Sequence, residues 1–352
     1  MPNPVAPLKP SETAWFVAGT KVMTLRGEVA IEQVHTGDRV LTLSGNGSTL
    51  KPVAAVRSLV VDLDKHPHPE QASPIRIAES AVEPGMPIRA LRVSPGLALS
   101  LDDGAARVLV PAFHLLNGAT ITREPGAGRI EYWQVVLAEH DILMADGMAA
   151  EAGIETAAAP TGRGVPLARP DPSPNLLPGA RDDTNCAPVA LGAASAPLHA
   201  RLLEAAEALG YRQDTDPGLT LTMDGAALPL LILGPGRYQA TLPPGAAALE
   251  LHSRSTTPAD INPIDGDTRR FGVPVARLLH DGEALPLDGP ACAAGFLAPE
   301  REGDAAWRWT TGDARITLTP QPVETTLELH IHADWARYWI APEPPSETAA
   351  AP

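Results

Sequence analysis

Between residues 15 and 42 the apolar positions fall in short runs. Val22, Leu25, Val29, Ile31, Val34, Val40 and Leu41 are cut apart by Gly19, Arg26-Gly27 and Thr36-Gly37-Asp38. Runs of this length with turn residues between them predict short strands and tight turns, not a helix. The same alternation continues to about residue 155. Strands are expected at residues 52–63, 75–77, 88–93, 107–110, 119–121 and 132–137. His66-Pro67-His68-Pro69 cannot lie inside a regular strand, because proline removes a ladder donor. The first 155 residues therefore read as an all-β domain, 13–155, behind a Pro-rich tail at 1–12.

Residues 156–182 break the pattern. Prolines at 160, 166, 170, 172, 174 and 178 and little apolar periodicity predict a linker. A second domain is expected at 183–342, with a tail at 343–352. It opens with one short helix over residues 198–209, where Leu198, Leu202, Ala206 and Leu209 form a stripe, Pro197 stands at the start and Gly210 at the end. Strand patterns then return around residues 219–223, 228–233, 238–242, 247–253, 273–279, 314–318 and 327–332, separated by Asp-Gly and Pro-Gly turns. That series predicts a two-layer β-sandwich. The whole chain is thus expected to be mainly β.

Composition agrees. The 352 residues include 38 prolines and 30 glycines with only 4% aromatics, a balance that suits strands and turns. The net charge of −15 argues against a nucleic-acid partner. No run approaches the ~18 apolar residues of a membrane-spanning helix. The N-terminus has no apolar stretch of about 7–15 residues after a basic start, so no secretory signal is visible. The expected location is the cytoplasm, or outside the cell by a route without a signal peptide. Cys186 and Cys292 form no metal-ligand spacing and read as small buried hydrophobes.

Several ordered blocks carry a family resemblance. Phe16-Val17-Ala18-Gly19-Thr20 and Ile31-Glu32, followed by Gly37-Asp38-Arg39-Val40-Leu41-Thr42, resemble the opening of a bacterial Hint domain. This is the self-processing fold of inteins and Hedgehog C-terminal domains. Val61-Asp62, His66-Pro67 and Pro69-Glu70 are similar to its next segment. Gly85, Pro87-Ile88-Arg89-Ala90-Leu91 and Val93-Ser94-Pro95 are similar to its "G-x-P-x-R-x-L-x-x-S-P-D-H". Val110-Pro111-Ala112 with Leu115 to Ile121, and Tyr132-Trp133-Gln134-Val135 with His140-Asp141 through Ala150-Glu151, complete the match. The resemblance covers about residues 14–152.

It implies an N→S or N→O acyl shift, in which a thiol or hydroxyl at the first residue attacks the preceding carbonyl. A histidine protonates the leaving amine. The nucleophile position, immediately before Phe16, is Trp15, whose indole offers only an N–H donor. The histidine position after Ser94-Pro95 is Leu97. The terminal His-Asn of inteins is replaced by Glu151-Ala152. Thr20, Asp38, Ser94, His140 and Asp141 remain at family positions; for His140-Asp141 a hydrogen-bonded turn is preferred to a catalytic role. Ser11 and Thr13 supply hydroxyls near the junction, outside the expected folded start.

Other candidates lie further on. His66 and His68, and His330 and His332, are i, i+2 pairs able to share a strand face; edge-strand histidines are the favoured reading over a metal site. Trp307, Arg308, Trp309 and Asp313 form a dense stretch. It reads either as tryptophans sealing the sandwich or as a sugar-binding surface, with Trp335, Tyr338 and Trp339 as a docking segment. Together with Ser253-Arg254-Ser255, Pro258-Ala259, Arg269-Arg270, Gly272-Val273, Gly295-Phe296 and Pro299-Glu300, that stretch resembles a β-rich accessory domain accompanying bacterial glycosyltransferases.

The expectation is a Hint-type all-β domain followed by a β-sandwich domain with one short helix, inactive in self-processing and acting as a scaffold or binding protein. Active self-cleavage by an unassigned nucleophile, and carbohydrate binding through the C-terminal domain, stay open as alternatives. A glycan or a protein is the expected partner, with no cofactor, no metal, no nucleic acid and no membrane.

Overall fold

The computed structural model describes residues 15–43, 47–104, 106–154, 165–166, 196–261, 267–292, 294–303, 305–333 and 335–343. The tail at 1–12, Ser11, Thr13, Cys186 and most of the 156–182 and 343–352 segments lie outside them. The described residues up to Gly210 and those from Tyr211 form two compact units.

The first unit is built from two antiparallel-rich sheets. One runs in the order Ile121–Arg123, Ile75–Ile77, Leu91–Val93, Phe16–Val17, Arg129–Leu137, Ala55–Asp62, Val165–Pro166. The last of these, inside the expected linker, pairs in parallel with the strand before it. The other sheet runs Arg107–Pro111, Ala98–Asp102, Met148–Glu151, Ile142–Ala145, Lys21–Thr24, Arg39–Thr42, Thr49–Pro52. Their inner faces meet in one core that includes Phe16, Val22, Ile31, Val40, Val56, Ile75, Leu91, Leu97, Val110 and Leu143. Alternation within each strand places these side chains inward. The turn ahead of Arg39–Thr42 uses Gly37 at φ +88°, a conformation that side chains with a Cβ rarely adopt.

The observed strands are shorter than the expected ones where local polar groups capture the backbone. Residues 119–121 are expected as a strand, but Asn117 Oδ1 accepts the N–H groups of Ala119, Thr120 and Ile121 at 3.0, 3.0 and 2.9 Å. Those donors cap a turn, and the strand starts at Ile121. The strand Ala98–Asp102 has no expected counterpart, because Ser94-Pro95-Gly96 hides its start in a turn. The His66–Pro69 segment is non-strand, flanked by the short 3-10 turns Leu63–Lys65 and Pro69–Gln71.

The helix Ala196–Ala208 forms as the stripe predicts, but it belongs to the first unit rather than opening the second. Leu198 and Leu202 are buried in the first unit's core. His199 Nε2 lies 3.0 Å from Leu116 O, Asn117 Nδ2 reaches Leu202 O at 3.4 Å, and Arg201 Nη1 donates to Asp102 O at 2.8 Å. Periodicity reveals an apolar face but not the surface that receives it.

The second unit is a β-sandwich. Its main sheet follows the order Ala226–Leu228, Thr220–Met223, Ala248–His252, Ala305–Thr317, Pro274–His280, Thr325–Ile331, Arg237–Leu242, Leu231–Gly234. The strand Ala305–Thr317 joins the layers: its first half pairs with Glu300–Glu302 and Pro274–His280, its second with Ala248–His252. Gly272 sits where a Cβ would approach Thr310 Oγ1 to 2.4 Å, so the crossing needs glycine there. No helix among the described residues is long and apolar enough to cross a membrane.

Because the helix is part of the first unit's core, Leu202→Ala is expected to destabilise that unit by about 2–4 kcal/mol. Denaturant unfolding monitored by circular dichroism checks this. A loss below about 0.5 kcal/mol would mean that the helix is not an integral layer of that core.

Candidate functional site

Residue 15 stands at the start of the strand Phe16–Val17, which is wedged between two longer strands. Phe16 pairs with Trp133 on one side and Val93 on the other. Trp15 is held by Ser94 from both ends: its N–H donates to Ser94 Oγ at 3.1 Å and its carbonyl accepts from Ser94 N at 2.8 Å. The indole is 1% exposed and packs with Val17, Leu59, Val61, Leu63, Ala72 and Tyr132. Tyr132 donates its hydroxyl to Ala72 O at 2.7 Å, and burial pushes its pKa well above the ordinary tyrosine value.

The chain turns after Ser94, and Leu97 N donates to Ser94 O at 3.1 Å. Leu97 is fully buried, and its side chain joins the main core rather than the cluster around Trp15. The two positions that the sequence marks as substituted therefore lie on either side of Ser94 and carry buried apolar groups. Neither can carry a proton or attack a carbonyl.

The retained positions have structural uses. Thr20 Oγ1 donates to Val17 O at 2.8 Å and closes the turn after the first strand. Asp38 Oδ2 accepts from His35 N at 2.9 Å and pairs with Arg26 Nη2 at 2.7 Å, fixing the turn before Arg39–Thr42.

A second cluster gathers at the end of the domain. His140 Nε2 lies 2.8 Å from Glu151 Oε1, with both side chains buried. Asp141, 1% exposed, accepts from Ile142 N at 2.7 Å and pairs with Lys51 Nζ at 2.6 Å. Ala152 N donates to Asp141 O at 2.9 Å, so the last turn of the domain folds back on this pair. The sequence marks His140-Asp141, but not Lys51 or Glu151 as their partners. Lys51 arrives from the strand Thr49–Pro52 and Glu151 from Met148–Glu151, and neither neighbours them in the chain.

In the second unit the Trp307–Asp313 stretch does not converge. Trp307, 8% exposed, donates Nε1 to Glu300 Oε2 at 3.2 Å. Arg308 turns the other way: it donates to Leu297 O, and to Leu287 O at 2.6 Å, and lies over the Phe296 ring. Trp309 meets Phe271 edge-on at 5.1 Å. Asp313 pairs with His252 Nδ1 at 2.9 Å. Strand alternation sets Arg308 apart from the two tryptophans, and Asp313 is engaged by His252. Cys292 is buried, and desolvation pushes its thiol up to about 11, which removes it as a nucleophile near neutral pH. Of the HxH pairs, His68 N donates to His66 Nδ1 at 3.0 Å, His330 Nε2 faces Glu328 at 3.4 Å, and His332 stacks on Trp335.

The Asp141 carboxylate, hydrogen-bonded to Lys51, holds that ammonium above its ordinary pKa. A folded-state pKa raised in this way stabilises fully below the unfolded lysine value and is lost as the pH climbs through the folded one. Lys51→Met is therefore expected to cost about 1–3 kcal/mol at neutral pH, because Asp141 stays buried with one partner fewer. Its stability should fall less steeply than the parent's above about pH 10. Urea titrations across pH read both effects.

No curated protein matches the chain. Two solved structures are similar to it: a splice-inactive, glutathione-linked variant of the AceL NrdHF class 3 split intein, at 12% identity and TM-score 0.28, and a bacterial intein-like domain from Clostridium thermocellum, at 15% identity and TM-score 0.27. Each match covers 40% of this chain, and 97% and 98% of the other chains respectively. The model of the Hint domain family matches residues 14–157, the span that holds the Trp15–Ser94 junction and the His140–Glu151 cluster. Over residues 14–157 the chain carries a Hint domain.

Proposed function

We propose that this Hint domain does not process itself and serves as a scaffold or binding module. The observation that supports the reading is the state of residue 15. A self-processing centre needs a nucleophilic side chain at the first residue and a proton carrier for the amine that leaves. Here the side chain at 15 is a buried indole and the family's histidine position is a buried leucine. The Trp15 amide N–H donates to the Ser94 hydroxyl.

Filling the site in this way also stabilises the fold. A buried tryptophan removes roughly 150–250 Å² from water, which at about 25 cal/mol per Å² is a gross gain of about 4–6 kcal/mol. A cysteine or serine in the same slot would forgo most of that. Selection for the fold without the reaction accounts for both substitutions together.

One observation favours the reading with an unassigned nucleophile. Ser94 Oγ lies 3.1 Å from the amide nitrogen of the bond that such a domain would cut, so a hydroxyl is present beside the junction. The two readings differ in one measurement. The full-length chain, purified and incubated with dithiothreitol or hydroxylamine, is expected to keep its intact mass by mass spectrometry. Fragments ending near residue 14 or 152 would overturn the inactive reading, and their loss in Ser94→Ala would then identify the nucleophile.

A further inference from the structure

Among the large apolar side chains of the described residues that face solvent, Trp335 is the one aromatic, at 47% exposed. A single exposed apolar residue is ordinary. What sets Trp335 apart is how firmly it is held. It sits in the short turn that follows the strand Thr325–Ile331, where Trp335 N donates to His332 O at 3.4 Å. The His332 imidazole stacks on the indole with centroids 4.0 Å apart and planes 8° from parallel. Trp307 stands perpendicular to both, at 4.8 Å from Trp335 and 6.1 Å from His332.

These three separations decide which face of Trp335 is open. They close a triangle with a nearly right angle at Trp335. The Trp307 centroid therefore lies beside the rim of the Trp335 ring, not across it from His332. One indole face is backed by the imidazole, the rim is braced by the second tryptophan, and neither ring covers the other face. Trp307 is itself fixed by Glu300, and Glu300 by Arg269 Nη1 at 3.4 Å. The guanidinium of Arg269 in turn lies 4.8 Å over Phe271. Both charged groups remain partly open to solvent.

We propose that this platform binds a carbohydrate ring, with the free face of Trp335 as the stacking surface and Glu300 and Arg269 as hydroxyl partners one ring away. A pyranose offers a flat apolar C–H face to an indole and hydroxyl groups at its edge, which pair with a carboxylate acceptor and a guanidinium donor. Arg269 also pairs with Asp267 at 2.8 Å, so the guanidinium carries two carboxylates and the trio holds one net negative charge; the salt dependence of binding separates a stacked sugar from a cation held in an aromatic cage. A rigid aromatic loses little conformational freedom on binding, so a backed and braced indole is prepared for the contact. The site is distinct from the Trp307–Asp313 stretch marked by the sequence, of which only Trp307 takes part. It does not depend on the state of the Hint centre.

The test uses the full-length chain on an array of neutral oligosaccharides, followed by calorimetric titration of the strongest binder. Binding of a subset of glycans is expected. Trp335→Ala should weaken it by about tenfold or more, while Trp335→Phe keeps part of it and Trp309→Ala leaves it unchanged. Trp335 is half exposed, so its alanine variant should retain the parent's unfolding midpoint, which circular dichroism checks. A blank array would overturn the proposal, as would a Trp335→Ala variant with the parent's profile. Binding abolished by about 0.5 M NaCl would also overturn it, since a stacking contact resists screening and an ionic one does not.

Discussion

The first unit hangs on the mutual grip of residues 15 and 94. A two-residue strand has too few ladder bonds to hold its own place. Phe16–Val17 is placed because Leu91–Val93 and Arg129–Leu137 flank it on both sides and because Ser94 ties the residue just before it. That tie sets which face Trp15 presents and therefore which core it enters. A slip of one residue would exchange the faces of Phe16 and Val17 and send the indole toward the wrong layer. The Trp15–Ser94 junction is therefore a point of register.

On the proposed reading of an inactive centre, that dual role explains how the fold persists without the chemistry. Strain and an exposed nucleophile at a junction are costs that only a reaction justifies. Once the nucleophile is gone, the position is an ordinary edge of the core, and the largest side chain that fits adds most to stability. Leu97 follows the same logic on the other side of Ser94, where a titratable ring would need a polar partner and an aliphatic one does not. The far end of the domain keeps its polar groups because they are already paired: His140 with Glu151, and Asp141 with Lys51. Replacing one member of such a pair strands the other, whereas replacing a lone catalytic group strands nothing.

Much of this was legible in the sequence, and the exceptions have physical causes. Trp15 and Leu97 are singled out in the sequence because the flanking motifs fix their places. The all-β character follows from run length and turn residues. The Lys51 and Glu151 partners are not visible, since pairing across strands depends on register that no local pattern encodes. The helix Ala196–Ala208 is legible as a helix but not as part of the first unit, because an apolar stripe fits any apolar surface. Asn117 shortens a strand that propensity alone would extend, by giving three N–H groups a closer acceptor.

The second unit shows the same limit from the opposite side. Trp307, Arg308, Trp309 and Asp313 are dense in sequence, yet strand alternation sends Arg308 to the opposite face, and Asp313 pairs separately with His252. Density along the chain is no guide to density in space when the element is extended. Trp335 and His332, three residues apart at the end of a strand, are marked in the sequence only separately, one in a docking segment and the other in an HxH pair. A turn brings their rings into register, and the strand that carries Trp307 supplies the perpendicular brace. Sites on β-sandwiches are assembled where strands end and turns begin, since there side chains escape the two-face rule that otherwise separates neighbours. The aromatic cluster at the end of Thr325–Ile331 is such a place, and the arrangement of its rings follows from three distances rather than from any motif.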